Sequence, residues 1–120
     1  MKTTCILVVA FFACYVVHAQ DWTFQNSGTG NYLYSSCFTD AGTGYAAGSE
    51  GTILKTTDGG ATWAFQNWDI TYGLNSIYFT DATTGYAVGW GNSGAKILKT
   101  INGGATWISQ VPYGTNGLNC

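Results

Sequence analysis

Thirteen residues of this chain recur almost letter for letter. Gly51–Trp63 reads G-T-I-L-K-T-T-D-G-G-A-T-W and Ala95–Trp107 reads A-K-I-L-K-T-I-N-G-G-A-T-W. An internal repeat constrains a fold more than local propensity does, because each copy must be one supersecondary unit that buries its apolar face on its neighbour. Trp63 and Trp107 are 44 residues apart, and Trp22 precedes Trp63 by 41 within a shared W-x-F-Q-N string. Leu33 opens L-Y-S-S-C-F-T-D and Leu74 opens L-N-S-I-Y-F-T-D; A-G-T-G-Y-A-A-G and A-T-T-G-Y-A-V-G follow. The second copy is three residues longer, all between Gly89 and Ile97.

A period of about 40–45 residues carrying four short β-rich segments matches one propeller blade. In the second copy the segments are Leu74–Thr80, Gly85–Gly89, Lys96–Thr100 and Ala105–Gln110, separated by Gly, Asp, Asn and Thr clusters of the kind that close hairpins. No window beyond the N-terminus holds a 3.6-residue apolar period. The expected fold is therefore all-β: antiparallel four-stranded blades of a β-propeller. Two whole blades (33–73 and 74–117) follow an N-terminal strand and loop (21–32), and residues 118–120 begin a third unit. Closed propellers need about four to eight blades, so the propeller is incomplete. The expectation is an N-terminal fragment of a longer protein; the other possibility is a ring assembled from several copies through open sheet edges.

Met1 and Lys2 precede an apolar run, Ile6–Val17, and Val17-His18-Ala19 offers a cleavage site. The run is shorter than the ~20 residues a membrane span needs, so 1–19 reads as a secretory signal peptide. The protein is expected to be secreted, extracellular or periplasmic, with 20–120 as the propeller segment and no membrane attachment after cleavage. The remaining chain holds Lys55, Lys96 and Lys99 against six carboxylates, with no Arg. That balance excludes a nucleic-acid footprint and a bidentate grip on phosphate or carboxylate. The lone His18 leaves with the signal, as do Cys5 and Cys14, so neither a histidine triad nor a zinc-finger spacing is available, and no metal or cofactor is implied. Cys37 and Cys120 lie two repeats apart at positions the repeat does not share.

Thr56-Thr57-Asp58-Gly59-Gly60-Ala61-Thr62-Trp63 resembles the Asp-box, S/T-x-D-x-G-x-T/S-W. The Asp can accept backbone N–H bonds across a hairpin, Gly permits positive φ, and Trp packs the turn down. Asn102 stands at the Asp position of the second copy, which keeps the turn chemistry without the charge. With L-N-S-I-Y-F-T-D-A-T-T-G-Y-A-V-G (Leu74–Gly89), I-L-K-T and G-G-A-T-W, the pattern is similar to the Asp-box (BNR-like) propellers of bacterial photosystem II assembly-factor-like proteins and their secreted relatives. The resemblance implies a structural role, away from any ligand, for Thr56, Asp58, Gly60, Thr62 and Trp63 and for Asn102, Gly104, Thr106 and Trp107. It does not carry over the assembly factors' arginine patch or the arginine cluster of sialidases, because this chain has no Arg.

Asp40 and Asp81 share one repeat position and read as turn formers. Function is better sought where the copies differ. Loops after the second and fourth strands of a blade emerge on one face: Ser49–Gly51, Asn67–Gly73, Trp90–Gly94 and Val111–Gly117. They bring Trp68, Asp69, Tyr72, Trp90, Asn92 and Tyr113, aromatic and polar groups suited to a protein partner or to stacking on sugars. Their competing role is to cover neighbouring blades. The leading expectation is a non-catalytic segment for binding or scaffolding. The alternative is part of an extracellular glycoside hydrolase in which Asp69 or Glu50 faces a second acid.

Overall fold

The computed structural model describes residues 22–66, 70–92 and 94–110. Residues 1–19, expected to be a signal peptide, the loop residues Trp68 and Asp69, and everything from Val111 to Cys120 lie outside the described residues. Those described form two four-stranded antiparallel meanders. Blade 1 comprises β1 (Leu33–Phe38), β2 (Gly44–Gly48), β3 (Ile53–Thr56) and β4 (Ala64–Phe65). Blade 2 comprises β5 (Gly73–Phe79), β6 (Gly85–Gly91), β7 (Gly94–Thr100) and β8 (Ile108–Ser109). The fold is all-β, and two blades make an incomplete propeller.

Both blades carry the same irregularity. The β1–β2 register shifts between Leu33 and Ser35, and the β5–β6 register shifts between Leu74 and Ser76. A bulge at the same point of each copy adds one residue and bends the strand. T-G-Y-A has an equally local explanation. A side-chain carbon on Gly85 would lie 2.7 Å from the Phe79 ring, and one on Gly44 would lie 2.6 Å from the Phe38 ring. Only a residue without Cβ lets each ring lie flat on the neighbouring strand.

The core forms between the sheets rather than within one. Strand alternation puts Tyr45, Ala47 and Ile53 on the face of blade 1 that meets Leu74, Ile77, Phe79, Ala87, Leu98 and Trp107 of blade 2. Each aliphatic side chain buried there contributes roughly 1.5–3 kcal/mol. Polar ties cross the junction as well: the Ile77 amide donates to Ser35 Oγ at 3.2 Å, the Tyr45 hydroxyl and Lys55 ammonium donate to the Gly103 carbonyl at 2.8 and 2.9 Å, and the Gly51 amide donates to the Tyr72 carbonyl at 2.8 Å.

Three expectations need correction. Trp90, Gly91 and Gly94 are strand rather than loop: the extra length extends the β6–β7 ladder, pairing Trp90 with Ala95 and Gly91 with Gly94, and Asn92 lies in the turn. Backbone groups in a hairpin this short gain partners by continuing the ladder. In blade 1 the same connection is a 3-10 turn, Ser49–Gly51. The fourth strands are two residues long, because Ala105–Trp107 is taken up by the turn that Asn102 closes. Finally, the residues around Trp22 form no strand, and Trp22 and Phe24 are fully exposed. A fourth strand pairs with a third strand, and β3 and β7 are already paired with β4 and β8.

Candidate functional site

The two ends of each blade have different chemistry. At one end stand the repeated turns. Thr56 Oγ1 accepts the Gly60 amide at 2.9 Å and donates to Asp58 Oδ1 at 2.8 Å. Asp58 in turn accepts the Thr62 amide at 2.9 Å and the Thr62 hydroxyl at 2.6 Å. The second copy repeats the cage with an amide. Gly104 N–H donates to Thr100 Oγ1 at 3.0 Å, Thr106 N–H to Asn102 Oδ1 at 2.9 Å, and Asn102 Nδ2 to Thr106 Oγ1 at 2.8 Å. Only the direction of the last bond changes, since an amide nitrogen donates where a carboxylate accepts. Gly60 and Gly104, at φ +95° and +84°, close these turns in the left-handed region.

The A-x-T-G turns lie beside them. Asp40 Oδ1 accepts the Gly42 and Thr43 amides, each at 2.7 Å, and Asp81 Oδ1 accepts those of Thr83 and Thr84 at the same distance. Gly59 N–H donates to the Gly42 carbonyl and Gly103 N–H to that of Thr83, both at 2.8 Å, tying the two turn types together in each blade. Hydrogen bonds to the charged form hold these carboxyls down. The Thr62 hydroxyl and amide bring Asp58 to about 2, and the Thr83 and Thr84 amides bring Asp81 to about 2. The Thr43 and Gly42 amides lower Asp40. Groups so ionised at neutral pH are turn locks, not proton donors.

At the other end the chain departs from its repeat. Tyr72, Trp90 and Asn92 line one recess of about 440 Å³, together with Thr71, Gly91 and Lys96. Trp90, 70% exposed, projects from the end of β6; Tyr72 enters from the β4–β5 connection, and burial pushes its hydroxyl up. The Gly51–Tyr72 bond anchors this connection to the 3-10 turn of blade 1. An indole and a phenol beside an amide and one ammonium can take an aromatic or aliphatic side chain, hold a backbone amide and neutralise one negative charge. Trp68, Asp69 and Tyr113 lie outside the described residues.

Lys96 and Thr71 are the residues that sequence reasoning passed over. Lys96 stands at the Thr52 position of the first copy, opposite Gly89 in the ladder, and the change from threonine to lysine at a repeated position was its available signal. Glu50 occupies the 3-10 turn at φ +54°, the one non-glycine residue with positive φ among those described. Asp69, the other acid considered for glycoside chemistry, lies outside the described residues. No cluster of three His, Cys, Asp or Glu able to hold a metal ion occurs among the described residues.

Residues 15–116 match a family described as photosynthesis system II assembly factor YCF48. No curated protein matches the chain. Among solved structures, one of YCF48 bound to D1 peptide is 28% identical with a TM-score of 0.65, covering 82% of this chain and 33% of its own. A structure of YCF48 from Cyanidioschyzon merolae, 22% identical with a TM-score of 0.62, covers 76% of this chain and 27% of its own, and shares the fold. The chain thus spans about a third of the length of these solved relatives.

Proposed function

This chain belongs to the photosynthesis system II assembly factor YCF48 family, and from that premise we propose that it is a non-catalytic, protein-binding propeller unit. Its ligand would sit at the recess of Tyr72, Trp90 and Asn92. The observation that carries this reading is the similar structure of YCF48 bound to D1 peptide, taken with an aromatic recess at the end of the blade where the repeat is broken. With no Arg in the chain, binding rests on aromatic contact and hydrogen bonds, with Lys96 as the one cation among the described residues that line the recess. The loops bearing Trp68, Asp69 and Tyr113 would extend the same face.

The rest of the reading follows the sequence. Residues 1–19 act as a cleaved export signal, which puts 20–120 outside the cytoplasm; mass spectrometry of the exported product would find Gln20 at its N-terminus. The blade bounds expected from the repeat, 33–73 and 74–117, move by one residue at their shared edge, since β5 of blade 2 begins at Gly73. Two blades cannot close a ring, so the working unit draws further blades from a longer polypeptide or from other copies.

The test is a titration of the D1 peptide into the chain, followed by tryptophan fluorescence. Trp90→Ala should weaken binding about tenfold or more, as loss of a central aromatic contact does. Equal affinity of the wild type and Trp90→Ala would remove the recess from the proposal. Binding of an oligosaccharide with no binding of the peptide would replace the protein ligand by a glycan.

A further inference from the structure

Asn102 and Gly103 form one of two Asn-Gly pairs in the chain; the other, Asn116-Gly117, lies outside the described residues. Blade 1 has Asp58-Gly59 at the same repeat position. The exchange alters reactivity as well as charge. An asparagine carboxamide is an electrophile that the next residue's backbone nitrogen can attack, and glycine leaves that approach uncrowded because it has no Cβ. A carboxylate, already negative, resists the same attack. Asn102 is exposed in its turn, and Gly103 behind it is buried.

The fold restrains both reacting groups. The Asn102 carboxamide is caged: Oδ1 accepts the Thr106 amide at 2.9 Å and the Thr100 hydroxyl at 3.0 Å, and Nδ2 donates to Thr106 Oγ1 at 2.8 Å. Gly103 is pinned at both of its ends. Its N–H donates to the Thr83 carbonyl at 2.8 Å, and its carbonyl accepts the Tyr45 hydroxyl and Lys55 ammonium of blade 1 at 2.8 and 2.9 Å. Gly103 N cannot turn onto Cγ of Asn102 while its proton is engaged and its carbonyl is held. Opening of the turn, and with it of the contact to blade 1, has to come first. Every one of these bonds lies within blade 2 or between the two blades, so no further blade of a longer polypeptide alters them.

We propose that Asn102 is a site of spontaneous deamidation whose rate is set by opening of the junction between the blades. Gly103 N gives up its proton and bonds to Asn102 Cγ; the Cγ–Nδ2 bond breaks, and ammonia leaves carrying that proton. Water then opens the cyclic imide. Cleavage of its Cγ–N bond yields aspartate, and cleavage of its backbone C–N bond yields isoaspartate. The two products have different fates. Aspartate rebuilds the cage that Asp58 already forms, in which the carboxylate accepts a threonine amide and hydroxyl. Isoaspartate adds a carbon to the backbone between Thr100 and Gly103. The Gly104 bond to Thr100 Oγ1 and the Gly103 bond to Thr83 span that stretch, and the longer backbone breaks their register. The modification thus marks chains whose blades have come apart. It does not depend on the peptide-binding reading.

The test is incubation of the chain at mildly alkaline pH, folded and in urea, followed by peptide mapping with fragmentation and by labelling with isoaspartyl methyltransferase. Asn102 should convert in urea with isoaspartate in excess. In the folded chain it should convert about tenfold or more slowly, because reaction waits on local opening. Lys55→Met removes one donor to the Gly103 carbonyl. It should speed conversion of the folded chain roughly 2- to 10-fold and leave the rate in urea unchanged. Equal rates in the folded chain and in urea would overturn the proposal. So would an Asn102 that stays intact in urea, or a folded Lys55→Met that converts at the wild-type rate. If circular dichroism shows that Lys55→Met is unfolded, Tyr45→Phe replaces it, with the same expected acceleration and the same refuting result.

Discussion

Tyr45 of blade 1 lies face to face with Phe79 of blade 2, ring centroids 3.8 Å apart and planes inclined by 15°. The hydroxyl of Tyr45 reaches past the ring to the Gly103 carbonyl, so one side chain joins the core of the junction to the turn at its edge. Tyr45→Phe should cost about 0.5–1.5 kcal/mol, the net worth of one buried hydrogen bond, since Lys55 still serves Gly103. Tyr45→Ala should cost about 3–5 kcal/mol through the cavity it leaves. Urea denaturation of both variants checks the ratio; equal losses would show that the ring contributes nothing beyond its hydroxyl.

Gly85 is dictated by the ring that crosses it. In Gly85→Ala the new carbon would sit 2.7 Å from Phe79, forcing the ring out of its stack with Tyr45. The expected loss is about 1–3 kcal/mol, typical of overpacking, and the near-ultraviolet circular dichroism of the stacked pair should weaken. The double variant Gly85→Ala, Phe79→Leu should recover part of the loss if the collision is the cause.

The turn carboxylates set an acid limit. Asp58 and Asp81 have folded values of about 2, below the ordinary 3.8. A depressed carboxyl stabilises the fold above its unfolded value and loses that contribution as pH falls through the folded one. Stability should therefore be level above pH ~4 and decline between pH ~4 and ~2. Asp58→Asn should be as stable as the wild type at pH 7, since Asn102 builds the same cage, and should show a shallower decline. A wild-type acid transition centred above pH ~5 would rule these groups out as its cause.

Binding at the Tyr72–Trp90 recess should depend weakly on salt. One lysine, Lys96, borders it, and exposed charge interactions are the part that salt screens. Peptide affinity should fall less than about threefold between low and physiological ionic strength, and Lys96→Gln should remove what dependence there is. A steep salt slope would move the binding surface to some other set of charges.

The proposed binding face was partly legible because the copies differ there. Tyr72, Trp90 and Asn92 break the repeat, and the structure brings them to one recess. That Trp90 lies in a strand rather than a loop was not legible, since three inserted residues can lengthen a loop or a ladder. Lys96 was missed because it takes the Thr52 position of the repeat, where a single change of residue type does not mark a face.

Repeat period, strand content and turn chemistry were determined by the sequence itself. They rest on contacts within a few residues, such as Asp58 with Thr62 or Gly85 with Phe79, and these read the same in either copy. Burial was decided only by the tertiary structure. Leu33 and Leu74 occupy one repeat position, yet Leu33 is 40% exposed and Leu74 is fully buried. Tyr45 and Tyr86 likewise share a position, but only Tyr45 is fully enclosed. Local sequence aims a side chain at one face of a sheet; whether that face is dry depends on what stands against it, and blade 1 stands against only one side of blade 2.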